Sequence, residues 1–311
     1  MRLAAIDLGS NTVHLLVADA GPGDAPFRVV ESDQRVTRLG EGLAASGRLG
    51  AVPVERTASV VVEYVSRARA AGAERVGIVA TSAVREAANQ AEFVAMLERA
   101  TGERVRVITG EEEATLTLAG VLHGLRGPLD GSTLLFDIGG GSTEYLVARA
   151  GTAVAAVSLR LGVVDLAERY PFPARVDWPR YQALQDEVAG RLARELPPAI
   201  LAVRPARIVG TAGTVTALAA LDLDLATYDR ARVQGHTLQR TAVERQLQRL
   251  GTLTAAERGA LPCLEPGRAD LIVPGVAVVL ATLATFTAGS LVVSDAALRE
   301  GVVLQLSTGE A

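Results

Sequence analysis

The chain has 311 residues, of which 49% are hydrophobic and 21% charged, and a formal net charge of −4. This is enough for about two packed domains, too apolar for disorder, and lacks the basic excess of a general nucleic-acid binder. All 31 basic side chains are arginine, which excludes P-loop and Schiff-base chemistry and gives any phosphate contact to a planar two-pronged fork.

Only four residues separate Arg2 from Asp7, so no apolar core of a signal peptide fits there. Leu3–Ile6 and Val13–Ala18 read as two strands joined by a tight small-residue turn, and Phe27–Val36 as a third strand. Apolar residues at helical spacing predict a helix over Val54–Ala71. Arg75–Ala80 reads as a strand, Gln90–Ala100 as a helix and Val105–Ile108 as a strand. Glu111, Glu112 and Glu113 open a helix that runs to about Leu125. Gly127-Pro128-Leu129-Asp130-Gly131 is a breaker, and the domain boundary is placed there, with residues 1–126 before it and 127–295 after it.

The second half repeats the scheme. Thr133–Phe136, Tyr145–Ala148 and Ala153–Leu159 read as strands, and helices follow over Val163–Tyr170 and Trp178–Ala202. A short strand at Ile208–Val209 leads into Gly210-Thr211-Ala212-Gly213-Thr214. Leu271–Val293 carries no charge and is long enough to span a bilayer, but Pro274, Gly275, Gly289 and Ser290 favour a buried helix over Leu271–Phe286 followed by a strand. A last helix, Ala296–Leu306, is expected to join the first domain. Strand hairpins followed by helix–strand alternation, twice over, predict an α/β fold of two mixed sheets flanked by helices.

One phrase occurs twice. Ala5-Ile6-Asp7-Leu8-Gly9-Ser10-Asn11-Thr12 and Phe136-Asp137-Ile138-Gly139-Gly140-Gly141-Ser142-Thr143 each run from an apolar strand through Asp into a small-residue turn with Ser or Thr. Backbone N–H groups of such a turn can cradle a phosphate, and the Asp can hold a hydrated metal ion or orient water. The two Asp lie 137 − 7 = 130 residues apart, about one domain, so the pattern implies two similar domains facing one phosphate ligand. Cys263 is the only cysteine, which leaves no disulfide and no cysteine zinc site; it reads as a structural thiol.

The first turn with His14 behind it, Ala80-Thr81-Ser82-Ala83-Val84-Arg85-Glu86-Ala87 with Asn89, Ile108-Thr109-Gly110-Glu111-Glu112-Glu113-Ala114, the second turn with Glu144, and Ser294-Asp295-Ala296-Ala297-Leu298-Arg299-Glu300-Gly301 stand in this order. Together they resemble the exopolyphosphatase / guanosine pentaphosphate phosphohydrolase family, within the actin-like, Hsp70-like and sugar-kinase-like ATPase-fold superfamily. The resemblance spans essentially the whole chain. It implies two ribonuclease-H-like domains with the active site in the cleft between them.

The resemblance places the catalytic glutamate at Glu113, the second glutamate of Glu112-Glu113-Ala114. Polyphosphate hydrolysis needs an attacking water, an oriented anhydride and charge neutralisation. A carboxylate at a helix start suits the base, although three glutamates there also simply favour a helix N-terminus. Gly9, Ser10, Asn11, Thr12, Gly139, Gly140, Gly141, Ser142 and Thr143 are the expected phosphate grips, with Arg38 and Arg85 as phosphate-binding arginines. Asp7, Asp137 and Glu144 are the expected Mg²⁺ carboxylates, and a monovalent cation such as K⁺ is a further candidate. Arg268 and Arg299 are weaker candidates; Arg299 is expected to meet a carboxylate between domains. The Gly210–Thr214 turn resembles an adenosine-contact turn and reads equally as a packing turn. His14 and His123 read as structural, and His236 as a loop residue near the cleft entrance.

The expected activity is release of terminal orthophosphate from inorganic polyphosphate, with guanosine pentaphosphate as the alternative substrate. A sugar or acetate kinase and a non-catalytic nucleotide-binding regulator are the readings from other classes. Longer family members carry a C-terminal helical domain, and an end at Ala311 implies short chains or a channel built by a homodimer. The expected setting is cytoplasmic, without membrane or nucleic-acid partners.

Overall fold

The computed structural model describes residues 1–21, 27–125 and 131–309. The chain divides into two compact units, Met1–His123 with Ala296–Ala311, and Gly124–Asp295. Residues 127–130 of the expected breaker lie outside the described residues.

The first unit is built on a sheet of β1 (Arg2–Leu8), β2 (Thr12–Asp19), β3 (Arg28–Val36), β4 (Arg75–Ala80) and β5 (Val105–Val107), in the order β3-β2-β1-β4-β5. β1, β2 and β3 are antiparallel neighbours, whereas β1, β4 and β5 run parallel. Successive side chains of a strand point to opposite faces, and β1 is apolar on both. Ala4, Ile6 and Leu8 pack with Val61, Tyr64, Phe93 and Leu97 of the Ala51–Ala70 and Gln90–Thr101 helices. Leu3 and Ala5 pack with Leu116, Leu298, Val302 and Leu306 of the Gly110–Leu125 and Leu298–Thr308 helices. These last two helices touch through glycines: a Cβ on Gly120 would lie 1.9 Å from Ala297 O, and one on Gly301 1.9 Å from Leu116 O. The closing helix thus docks on the helix that starts with the glutamates.

Among the described residues the second unit's sheet has six strands, β6 (Ser132–Ile138), β7 (Thr143–Arg149), β8 (Thr152–Leu159), β9 (Arg207–Thr211), β10 (Thr237–Gln239) and β11 (Ser290–Val293), ordered β10-β11-β9-β6-β7-β8. β6, β9 and β11 run parallel, and β6, β7 and β8 antiparallel. The Ile272–Thr285 helix is buried almost throughout in this unit's core, where each large apolar side chain contributes roughly 1.5–3 kcal/mol. Among the described residues no helix is long and apolar enough to cross a membrane.

The doubled phrase is a structural repeat. Asp7 opposes His14 and Asp137 opposes Glu144, each pair shifted by 130 residues (137 − 7, 144 − 14). Both second hairpins carry a register shift at the same place, Val17/Ala18 and Val147/Ala148, again 147 − 17 = 130 apart.

Three readings of the elements change. The expected Trp178–Ala202 helix stops at Glu195, and a separate turn spans Pro198–Leu201, because Pro197 and Pro198 lack the N–H groups a continuing helix needs. The last helix begins at Leu298. The stretch from Ala212 on, where no helix or strand is expected until Leu271, holds the Ala212–Asp222 and Arg240–Gly251 helices and β10. Arg258, fully buried, donates to the carbonyls of Leu250 (2.9 Å), Phe172 (2.8 Å) and Ala174 (3.3 Å) and ties this stretch together. Burial lowers the proton affinity of its guanidinium.

Candidate active site

Parallel strands place their C-terminal ends on one edge of a sheet, and in open α/β sheets ligands bind there. In the first unit this edge carries three of the sequence motifs. The first turn follows β1, the Thr81–Glu86 segment follows β4, and the Ile108–Glu113 segment follows β5.

The first turn is closed by Gly9 N–H donating to Thr12 O at 3.1 Å. A loop braces it from outside: Thr37 and Arg38 N–H both donate to Asn11 O at 2.9 Å, and Gly40 N–H donates to Ser10 O at 2.8 Å. Arg56, which sequence reasoning passed over, fixes that loop by donating from Nε to Thr37 O at 2.5 Å. Arg38 has φ +50, a left-handed conformation that costs a non-glycine residue on the order of 1 kcal/mol and concentrates at functional sites. Ser10 Oγ and Asn11 Oδ1 are buried with no hydrogen-bond partner among the described residues. Asn11 Nδ2 donates to Thr12 Oγ1 at 3.3 Å.

Arg85 and Glu113 are in contact. Arg85 Nη1 donates to Glu113 Oε2 at 3.1 Å and to Ile108 O at 2.8 Å. Glu113 is 8% exposed, in the first turn of its helix, with its N–H on Thr109 O. The other two glutamates differ: Glu112 pairs with Arg106, and Glu111 is exposed. Asn89 exchanges hydrogen bonds with the backbone of Leu49, 2.9 and 3.1 Å, a structural tie. Arg299 donates to Glu300 Oε1 at 3.1 Å inside the same unit.

The second turn is closed in the same way, Gly139 N–H to Ser142 O at 2.9 Å. Its brace is a helix N-terminus: Val163 and Val164 N–H donate to Gly139 and Gly140 O at 3.1 and 2.9 Å. Its hydroxyls are engaged. Thr143 Oγ1 donates to Leu161 O at 2.6 Å, and Ser142 Oγ donates to Glu144 Oε1 at 2.6 Å. A hydroxyl has one proton, so neither donates to a phosphate in this arrangement, and the turn's backbone N–H groups are left for that task. Glu144 is 3% exposed.

Farther along the same edge, the Gly210–Thr214 turn follows β9. Ala212 takes φ +70, and Arg268 covers Gly213 so closely that a Cβ there would lie 1.8 Å from Arg268 Nη1. A guanidinium lies against this face of the turn, the close contact that its reading as a packing turn describes. His123 stacks on Phe27 at 4.3 Å, His236 Nε2 lies 3.0 Å from Asp222 Oδ2, and Cys263 Sγ donates to Leu225 O at 3.1 Å.

Among the described residues no group of three or more His, Cys, Asp or Glu is gathered as a ready metal cage. Magnesium needs less: one or two carboxylates, with water and phosphate oxygens completing the shell. Asp137 and Glu144, directly opposed on β6 and β7, meet that donor chemistry. Two like charges directly opposite on a sheet are destabilising, so a cation between them is physically apt. At the same place in the first unit Asp7 is opposed by His14.

The sequence profile of the Ppx/GppA phosphatase family matches residues 16–309. The chain belongs to this family. It is 37% identical to exopolyphosphatase 2 of Mycobacterium tuberculosis, over 98% of both chains. The crystal structure of the Aquifex aeolicus Ppx/GppA family member superposes with a TM-score of 0.83 at 32% identity, covering 100% of this chain and 98% of that one. An exopolyphosphatase structure from Cytophaga hutchinsonii gives a TM-score of 0.91 at 24% identity, over 99% and 98% of the two chains, a likeness of fold. The fold is therefore that of the Ppx/GppA family.

Proposed function

We propose that this Ppx/GppA family member is an exopolyphosphatase that removes terminal orthophosphate from inorganic polyphosphate with a water activated by Glu113. The observation that carries the reading is the buried Glu113 carboxylate held at 3.1 Å by Arg85, on the same strand edge as the first phosphate turn. Relatives named exopolyphosphatase support the substrate. The water oxygen forms a bond to the terminal phosphorus and the bridging P–O bond breaks. The electron pair leaves with the shortened chain, and the water proton passes to a Glu113 oxygen. Arg85 and Ile108 O fix the carboxylate's direction, so little reorganisation is needed as the proton moves.

In the first unit the phosphate grips are the backbone of Gly9–Thr12, the Ser10 hydroxyl and Arg38; in the second unit they are the backbone N–H groups of Gly139–Thr143. Arg85 is shared between base and phosphate. Asp137 and Glu144 would hold Mg²⁺, which would supply charge neutralisation, and Asp7 would orient water beside the first turn.

Phosphate release from polyphosphates of defined length, set against guanosine pentaphosphate, tests the assignment. Faster release from polyphosphate is expected, and release from neither overturns it. Glu113→Gln should lower kcat by about 10³-fold, within the span of general base catalysis, with substrate binding retained. An unchanged kcat would move the base to another residue.

A further inference from the structure

Ser158 sits at the end of β8, opposite Glu144 on β7. Its Oγ donates to Glu144 Oε1 at 2.7 Å, the same carboxylate oxygen that accepts the Ser142 hydroxyl at 2.6 Å. Two hydroxyls from different elements thus converge on one oxygen of a carboxylate that is 3% exposed. Each serine spends its single proton on Glu144, and only lone pairs remain on the two serine oxygens. A cluster that presents lone pairs has the donor chemistry of a hard cation.

We infer that Ser158 is a positioning residue for the cation at the second turn, acting by fixing the Glu144 carboxylate together with Ser142. The inference rests on the metal role given above to Asp137 and Glu144. Outer groups that orient a ligating carboxylate commonly govern metal affinity by 10- to 100-fold. The neighbouring backbone makes the arrangement rigid. Leu161 O accepts from Thr143 Oγ1, and Val163 and Val164 N–H tie the chain just after Ser158 to Gly139 and Gly140. The Ser158 hydroxyl is therefore held at a defined place by the same hydrogen bonds that shape the turn.

The test is Mn²⁺ binding to the substrate-free protein, read from the loss of the free-ion electron paramagnetic resonance signal. Ser158→Ala should weaken Mn²⁺ binding by about 10-fold, and Ser158→Thr, which keeps the hydroxyl, should restore it. Ser158→Cys, close in size with a weak donor, should weaken it as the alanine does and serves if the alanine variant does not fold. In turnover, the Mg²⁺ concentration at half-maximal rate should rise by the same factor while kcat at saturating Mg²⁺ is kept. Unchanged Mn²⁺ affinity in Ser158→Ala or Ser158→Cys, with affinity lost in Glu144→Gln, overturns the role of Ser158 alone. Equal affinity in the wild type and Glu144→Gln removes the metal role of Glu144 and the inference with it.

Discussion

The rung Asp7–His14–Gln34 and the rung Asp137–Glu144–Ser158 occupy the same place in the two sheets, each running across three antiparallel strands beside a closed small-residue turn. Their chemistry differs. The first has one carboxylate opposed by an imidazole, and its turn keeps a buried serine oxygen without a partner. The second has two opposed carboxylates, and its turn gives its serine and threonine protons to a carboxylate and a carbonyl. On the function proposed above, the first turn keeps an uncommitted hydroxyl for phosphate, while the second commits its hydroxyls, leaves phosphate only backbone N–H groups, and adds an opposed carboxylate pair whose chemistry suits a cation. Sequence similarity between the two phrases hides this division, because it resides in where single protons go.

The bracing of the turns also differs, and this gives the largest expected effect. The second turn is crossed by Gly162, where a Cβ would lie 2.2 Å from Gly140 O and 2.3 Å from Gly141 C and Cα. All three are backbone atoms, so the clash is not relieved by a rotamer change. Gly162→Ala should cost about 3 kcal/mol in urea unfolding, at the upper end of overpacking effects. It should also loosen the Val163 and Val164 hydrogen bonds that hold the turn. A loss under 1 kcal/mol would mean that the second turn yields as readily as an ordinary loop.

Next in size is Ser142→Ala. It removes one of two hydroxyl donors from a buried carboxylate, and hydrogen bonds to charged groups contribute about 1.5–3 kcal/mol. A loss of about 2 kcal/mol is expected, measured by denaturant midpoint at constant slope. Stability equal to wild type would show that Glu144 does not depend on the Ser142 proton.

The architecture was legible from apolar period and small-residue turns, because strand alternation and helix spacing are local properties. β1, β2, β4 and the Gln90–Thr101 helix lie within two residues of their expected bounds. The amphipathic Arg240–Gly251 helix had a readable signal in Ala242, Val243, Leu247 and Leu250 and was passed over. β10, three residues long, carries too little pattern to be read. In the candidate site, Glu113 and Arg85 each stand in a motif that sequence displays, whereas their contact at 3.1 Å does not show there, since it joins segments 28 residues apart. Ser158 carries no motif of its own; only the β7–β8 register brings it to Glu144. Arg258 carries no motif, because its carbonyl acceptors, one on the Arg240–Gly251 helix and two on the loop at Phe172 and Ala174, leave no trace in sequence spacing.

The smallest expected change in stability sharpens the comparison most. Ser10 Oγ is buried without a partner, so it contributes desolvation cost and no compensating hydrogen bond in the substrate-free protein. Ser10→Ala should therefore leave the unfolding midpoint within about 0.5 kcal/mol of wild type, or raise it slightly. Polyphosphate binding should suffer instead, because a charge-assisted hydrogen bond from the hydroxyl to a phosphate oxygen is lost. At about 1.4 kcal/mol per factor of ten, KM should rise about 10-fold with kcat little changed. Ser142→Ala should show the opposite pattern, lowered stability with a raised Mg²⁺ requirement. If both variants lose stability equally and raise KM equally, the turns share one role and the division between phosphate and cation falls. If only Ser10→Ala moves KM at saturating Mg²⁺, the uncommitted proton of the first turn is what the second turn lacks.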